Sequence, residues 1–567
     1  MNKIFLFLIC LLTSNLLEAQ QNVYAFRVSF KNKNGTLSFA DSLQFLSQTA
    51  LNRRSKQGIS LDSTDLPIVQ HYIDTTVIVS NAIGVHNKSK WFNQIVVLTY
   101  DSSKVADILA LPIVQDVKLV AVSTLGNFKM KSNEEKKIDK FPDVEPITVK
   151  KTRGTPLTYG TAFQQIDMIN GDCLHDMGYK GEGIKIAVFD VNFRRVDSCN
   201  AYSTLRQQGR IKDSYDFARD TPFVYSMGVP SDHGMNVMGC MAAYEPGTYV
   251  GTAPNADFYL YITEASAYEF PIEEDNWLSA AERADSIGVD MINSSLGYNK
   301  FDAPLHLSSY TYADLNGHKT LIAKTANMAV AKGIFVANAQ GNEGAGAWHY
   351  LLTPADGDSV FSVGSVDGSG IWASSGYGPN ASGQIKPDAV ALGKAAMLIG
   401  GDCAPGASSG SSFATPILCG GIACLWQALP TLTTWQLRQI VRMSGSKYSV
   451  LENGTDSSTA FTLGYGIPNL CKAFEIATNT SDIQNINYHF ALYPNPTNGI
   501  FTVNSFNQQQ DLFSYTIMDL QGKVIKQSDR VYQNGFTSDA LNHLPSGTYI
   551  LLLSTHHQIY STKIIKQ

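Results

Sequence analysis

No block of like charge stands out in the 567 residues, and the formal net charge is only −6. That argues against a basic footprint for nucleic acid and against a polybasic patch for a membrane surface. Beyond the N-terminus, no run approaches the roughly twenty apolar residues a bilayer crossing needs, so no transmembrane segment is expected in the mature chain. Cysteine is scarce, at eight residues, and no Cys/His spacing matches a zinc site. What the chain does have is length, too much for one ordinary domain, and a globular apolar fraction of 44%.

The N-terminus carries the one strongly apolar stretch. Lys3 precedes nine apolar residues, Ile4–Leu12, and Ala19 offers a small residue for cleavage. The run is too short to span a bilayer, so residues 1–19 are expected to be a secretory signal peptide. Cys10 falls inside it. The seven remaining cysteines (173, 199, 240, 403, 419, 424 and 471) are an odd number, which leaves at least one unpaired in an exported chain. Cys419 and Cys424 sit in an apolar helical pattern and read as small buried residues.

Four segments follow from the patterning. After the signal peptide, residues 20–155 hold a small α+β module and a charged linker. Strand-like runs Tyr24–Phe30, Ile95–Tyr100 and Val114–Val122 alternate with helical patterns Phe39–Gly58 and Val105–Leu111. Lys129–Lys151 has few large apolar residues and reads as exposed linker. Residues 156–478 alternate apolar strands (Ile184–Phe189, Phe258–Ile262, Asp290–Asn293, Ile334–Ala337, Val360–Val366) with helices Leu278–Gly288 and Lys324–Gly333, each closed by glycine. This predicts an α/β domain built on a doubly wound parallel sheet. Residues 479–567 comprise a polar hinge, Asn479–Asn487, and then short strands separated by turns, the pattern of a small all-β sandwich.

The chemistry concentrates in the third segment. Ser412, in GSSFATP, stands at a predicted helix start, with Pro416 expected in the first turn. A helix N-terminus presents free N–H groups and partial positive charge to an anion; helix capping is the plain alternative. Ser411 is the neighbouring candidate. His233, in SDHGMNVMG, is a potential base, and Gly234 beside it permits close approach. Asp190 ends an apolar strand, where functional groups gather in open α/β sheets, and could fix an imidazole tautomer. Its rivals Asp197 and Asp232 end no buried strand. Asn342, in AQGNEG, offers an amide donor for a developing oxyanion, against the alternative of a turn residue. Ser294, Ser295, Leu296 and Gly297 form a glycine-containing strand end able to pair with an extended peptide.

These segments resemble the subtilisin-like serine proteases (subtilases) over about Tyr159–Phe474. The Asp, His and Ser segments are similar to the three triad motifs, Gly251–Tyr261 to the family's GVAP strand, and Gly464–Leu470 to the segment that closes the domain. SSLG and AQGN, including Gly341, resemble the substrate-lining and oxyanion segments. The resemblance implies a serine endopeptidase: Asp190 orients, His233 is the base, Ser412 the nucleophile, and Asn342 with the Ser412 N–H the oxyanion donors. Val191 and Asn192 depart from the family's usual Ser/Thr–Gly after the Asp, and Met235 and Ser411 replace threonines. Glu343 is implied to lie near the specificity pocket.

The first module is similar to subtilase propeptides, which implies a zymogen whose own propeptide is a partner. YPNPTNG, Asp519–Ile525, Leu544–Tyr549 and the terminal KIIK resemble C-terminal sorting domains of the Bacteroidetes type IX secretion system. This implies a secreted or cell-surface protein, polypeptide substrates and a secretion machinery as partner. No cofactor is required for this chemistry. Many subtilases bind calcium, so a structural calcium is compatible with the chain, though no loop demands one. A specialised peptide ligase or maturation peptidase, and an inactive surface-binding protein on the same fold, are the alternatives.

Overall fold

The computed structural model describes residues 21–124, 157–265, 268–452, 458–478, 490–505, 514–519, 523–528, 535–554 and 559–567. The stretches expected as signal peptide (1–19), linker (Lys129–Lys151) and hinge (479–487) lie outside them. In the N-terminal module, β1 (Asn22–Phe30), β2 (Gly84–Ser89), β3 (Gln94–Thr99) and β4 (Val114–Thr124) pair antiparallel in the order β2-β3-β1-β4. The helix expected over 39–58 is broken. A 3-10 turn, Phe39–Gln44, is followed by helix Gln48–Lys56, because Ser47 leaves the helical conformation and caps the Ala50 N–H with its side chain. Helix Gln70–Val79 and β2 had no strong period in the sequence.

The central domain is a seven-stranded sheet. Its strands are β5 (Lys185–Asp190), β6 (Ile211–Asp216), β9 (Asp257–Ile262), β10 (Met291–Ser294), β11 (Phe335–Ala339), β12 (Phe361–Val366) and β13 (Ala389–Leu392). A two-residue hairpin, β7 (Tyr244–Glu245) and β8 (Tyr249–Val250), lies outside it. The order is β13-β12-β11-β10-β5-β9-β6, and every pair is parallel. Alternation along β5 explains why a parallel sheet needs cover on both faces. Ile186 and Val188 join one core with helices His233–Ala242 and Ser411–Ala428. Ala187 and Phe189 join the other with helices Ile272–Ile287 and Leu321–Ala331. The expected doubly wound α/β sheet is therefore present. The glycines ending the last two helices, Gly288 and Gly333, have φ of +87° and +88°, a conformation that favours glycine.

Two disulfides, Cys173–Cys471 and Cys199–Cys403, tie distant parts of this domain, and Cys240, Cys419 and Cys424 are free and buried. The C-terminal segment packs a three-stranded against a four-stranded antiparallel sheet around Phe501, Val503, Ile517, Leu551 and Ile564, as the sandwich pattern predicts.

Helix Ile272–Ile287 has the N-terminal module against its outer side, where Asp275, Glu282 and Asp285 are buried. Arg27 makes two bonds to Asp275, at 2.7 and 2.5 Å. Arg53 and Arg54 converge on Asp285 at 2.5 and 2.6 Å, and Arg54 also reaches Asp65 at 2.8 Å. Glu282 accepts from the Ser89 hydroxyl and from the Lys90 and Trp91 N–H groups. Removing one partner of a buried ion cluster strands the others without compensation. Asp285→Ala is therefore expected to destabilise the uncut chain by about 3–5 kcal/mol, read as a lowered denaturant midpoint. An unchanged midpoint would mean that this cluster does not hold the module down.

Candidate active site

Asp190 is the last residue of β5 and fully buried. It is satisfied there. Its carboxylate accepts from His233 Nδ1 at 2.8 and 3.0 Å and from the Val191 N–H at 2.8 Å, while its carbonyl accepts from the Thr263 N–H. His233 opens helix His233–Ala242, with its side chain about one-third exposed. Burial alone would lower the imidazole pKa, but the Asp190 carboxylate outweighs it, with help from Glu264, and the net direction is upward. The two residues are held together from behind. A Cβ on Gly234 would lie 2.3 Å from the Asn192 carbonyl oxygen and 3.0 Å from the Asp190 Cβ. The close approach expected at Gly234 is therefore that of the Asp190 loop. Asn192, one of the departures from the family pattern, is itself built in. Its amide donates to the carbonyls of Ser226, Val229 and Ser231, which fastens the loop that leads to His233. The rival Asp232 is engaged with Arg194 instead.

Ser412 is the second residue of helix Ser411–Ala428 and is 8% exposed, whereas Ser411 is sealed. Pro416 lies beyond the first turn, a correction to the expected position. Its missing N–H would have bonded the Ser412 carbonyl. The Ser295 hydroxyl donates to that carbonyl instead, at 2.8 Å, so the freed group is satisfied. The Ser412 hydroxyl in turn donates to the Ser295 carbonyl at 3.3 Å. Ser411 has a different task. Its N–H and its hydroxyl both donate to Asn342 Oδ1, at 2.8 and 3.1 Å, and the hydroxyl also donates to the Gly341 carbonyl. With Oδ1 so fixed, Asn342 Nδ2 has no acceptor among the described residues.

His233, Ser412, Asn342, Gly341 and the Ser295–Gly297 segment line one cavity of about 600 Å³. Two sequence expectations and one unexpected group fare differently. Ser294 does not face the cavity: it is fully buried, and its hydroxyl accepts from Trp277 Nε1. Glu343 begins a short 3-10 turn and is not part of the lining. The third concerns residues that motif reasoning passed over. Glu264, Glu269 and Glu273 also line the cavity, and their carboxylate oxygens lie within 4.8 Å of one another. Burial pushes Glu264 up to about 7 and Glu269 up to about 8, and it also raises Glu273 well above the usual carboxylate range. Among the described residues this is the one group of three such side chains close enough to hold a cation. The acid-rich EASAYEFPIEE stretch after β9 was the available signal.

Residues 181–466, half of the chain, match the Subtilase family. The chain belongs to that family. This subtilase is 32% identical to subtilisin E of Bacillus subtilis over 279 residues, which is 48% of this chain and 63% of that protein. It is 31% identical to a subtilisin of Bacillus pumilus over the same length, 87% of that protein. The chain thus spans just under two thirds of the length of subtilisin E. Among solved structures, the prenylagaramide maturation protease PagA aligns with a TM-score of 0.41 at 20% identity, over 54% of this chain and 97% of that one. Residues 25–139 match the Peptidase S8 propeptide domain of Bacteroidota, so the N-terminal module of this subtilase is a propeptide. Residues 491–567 match the Secretion system C-terminal sorting domain, which marks the protein as secreted or carried on the cell surface.

The Gly234 contact gives a test of the Asp–His support. Gly234→Ala overpacks against the Asn192 carbonyl and is expected to cost about 1–3 kcal/mol of stability. Denaturant unfolding measures it, and full retention of stability would show that the Asp190 loop is free to yield.

Proposed function

We propose that this subtilase is a serine endopeptidase made as a zymogen, with Asp190, His233 and Ser412 as its triad and Asn342 as oxyanion donor. The observation that carries the reading is one cavity shared by an Asp-bound imidazole, a helix-terminal serine hydroxyl and an amide with its donor end free. With Nδ1 held by Asp190, Nε2 of His233 is the free acceptor. The Ser412 hydroxyl leaves the Ser295 carbonyl for Nε2 as the peptide binds; catalytic hydrogen bonds commonly tighten only in the substrate complex. The serine oxygen then attacks the peptide carbonyl, and the imidazolium returns the proton to the leaving amine. Water hydrolyses the acyl-enzyme by the same path.

Charge that develops on the carbonyl oxygen meets Asn342 Nδ2 and the Ser412 N–H, one of the unbonded amides at the helix start. Ser411 acts through Asn342 by orienting its amide. The Ser295–Gly297 edge supports an extended peptide, and the propeptide lies against the same domain before processing. Calcium remains compatible with the fold, and no step in this scheme uses a cofactor.

Reaction with a fluorophosphonate tests the reading directly, with an adduct on Ser412 of the processed protein as the expected result. Ser412→Ala is expected to remove the adduct and lower turnover by about a millionfold, the scale of the subtilisin nucleophile. For Asn342→Ala the expected loss is about a hundred- to a thousandfold, again the subtilisin scale. No adduct on processed protein would favour an inactive binding protein on this fold.

Activity requires neutral His233, whose folded pKa is raised, so the rate should fall as pH drops through a value above 6.5. The negative charge of Glu264 favours the imidazolium. Glu264→Gln is therefore expected to move the acid limb of kcat/KM to lower pH. A limb that stayed in place would remove Glu264 from the electrostatics of the base.

A further inference from the structure

We propose that Leu352 plugs the slot beside the nucleophile and restricts the substrate residue that donates the attacked carbonyl to a small side chain: glycine, alanine or serine. The inference rests on the acyl-transfer reading above and names the specificity of that same site.

In that reading the attacked carbonyl sits between Ser412 Oγ and Asn342 Nδ2. The α-carbon next to it must then lie over the slot between two chain segments, Ser295–Gly297 and Ala339–Gly341, both of which line the cavity. The segments are registered to each other. β10 and β11 pair in parallel, and Asn338 Nδ2 donates to the Leu296 carbonyl at 3.0 Å. Each wall presents a glycine to the slot. Two glycine walls leave room for a large side chain only if nothing else enters.

Leu352 does enter, from a third segment. A Cβ on Gly297 would lie 2.7 Å from the Leu352 Cβ, and a Cβ on Gly341 would lie 2.8 Å from its Cγ and 3.1 Å from its Cδ1. The isobutyl group therefore rests against both walls at once, and it also faces the cavity. The glycines are explained by the leucine: any side chain on either wall would collide with it. Gly341, at φ +96°, has a second reason to be glycine.

The plug is stitched in place. The Leu352 N–H donates to the Gln340 carbonyl at 3.1 Å, on one wall. The next residue, Thr353, exchanges two backbone bonds with Tyr298, on the other wall: Tyr298 N–H to the Thr353 carbonyl at 2.8 Å, and Thr353 N–H to the Tyr298 carbonyl at 3.2 Å. The backbone that carries Leu352 cannot move away without breaking bonds to both segments that would hold the substrate. A large side chain would have to displace it from a close-packed setting.

The test uses the full chain after processing and a matched set of peptides that differ only in the residue before the scissile bond: Gly, Ala, Leu or Phe. Active sites are first counted by fluorophosphonate titration, and products are then assigned by mass spectrometry. The expected result is a kcat/KM for the Ala peptide at least about 100-fold above that for Phe, the scale on which a tight pocket separates side chains of different size. Leu352→Gly is expected to raise the Phe-to-Ala ratio by about the same factor. Because that variant removes a packing contact, Leu352→Ala serves as the milder form and should move the ratio in the same direction, by less. An adduct on Ser412 with Leu and Phe peptides cut as fast as Ala overturns the plug alone. No adduct overturns the acyl-transfer reading and the inference with it.

Discussion

A carboxylate with no solvent exposure, hydrogen-bonded to a partly exposed imidazole, is the interaction on which the rest of this structure turns. The buried Asp190 carboxylate is met by two donors, His233 Nδ1 and the Val191 N–H. An unpaired buried charge would be far too costly. The parallel sheet brings β5 to the middle of the domain and delivers its C-terminal end to the cleft. The histidine helix is then pressed against that end so closely that only glycine fits at 234. Asn192 takes over a support role through three bonds to the loop before His233. The departure from the family pattern after Asp190 therefore leaves the Asp–His pair intact.

The other half of the cleft is organised by exchanges of hydrogen bonds around the serine helix. A proline in the second turn frees the Ser412 carbonyl, and Ser295 fills it. Ser295 thus connects the candidate nucleophile to the strand edge proposed to hold the peptide. Ser411 spends its N–H and hydroxyl on one oxygen of Asn342, which leaves the amide's donor end available. Leu352 joins both walls of the slot. Each of these residues acts through a neighbour.

Across the sheet from the serine helix, electrostatics bind the propeptide. Helix Ile272–Ile287 buries Glu273, Glu274, Asp275, Glu282 and Asp285, a composition that would be solvent-facing on most helices. Arg27, Arg53 and Arg54 of the propeptide supply counter-charge for Asp275 and Asp285, while Glu282 is met by backbone and hydroxyl donors. The same helix begins at the Glu264–Glu269–Glu273 group in the cleft. One element therefore touches both the propeptide and the wall of the candidate active-site cavity.

The sheet strands with apolar runs were legible in the sequence: β5, β9, β10, β11 and β12 all lie where burial on two faces demands such runs. β6 and β13 were not, because IKDSYD at the sheet edge alternates little and AVAL is too short to signal. The break at Ser47 was missed because the apolar period continues across it. The candidate site residues Asp190, His233, Ser412 and Asn342 stand out in the sequence because each sits at an element terminus whose local pattern marks it. How Ser411 and Ser412, which both line the cavity, divide their hydrogen bonds, whether Ser294 belongs to it, what satisfies the carbonyl freed by Pro416, and what fills the space between Gly297 and Gly341 were decided only by the tertiary structure. The physical reason is range. A run of apolar residues or a helix start is a property of neighbours along the chain. A side chain that packs against Gly297 and Gly341 from position 352 has its meaning in contacts that folding alone creates.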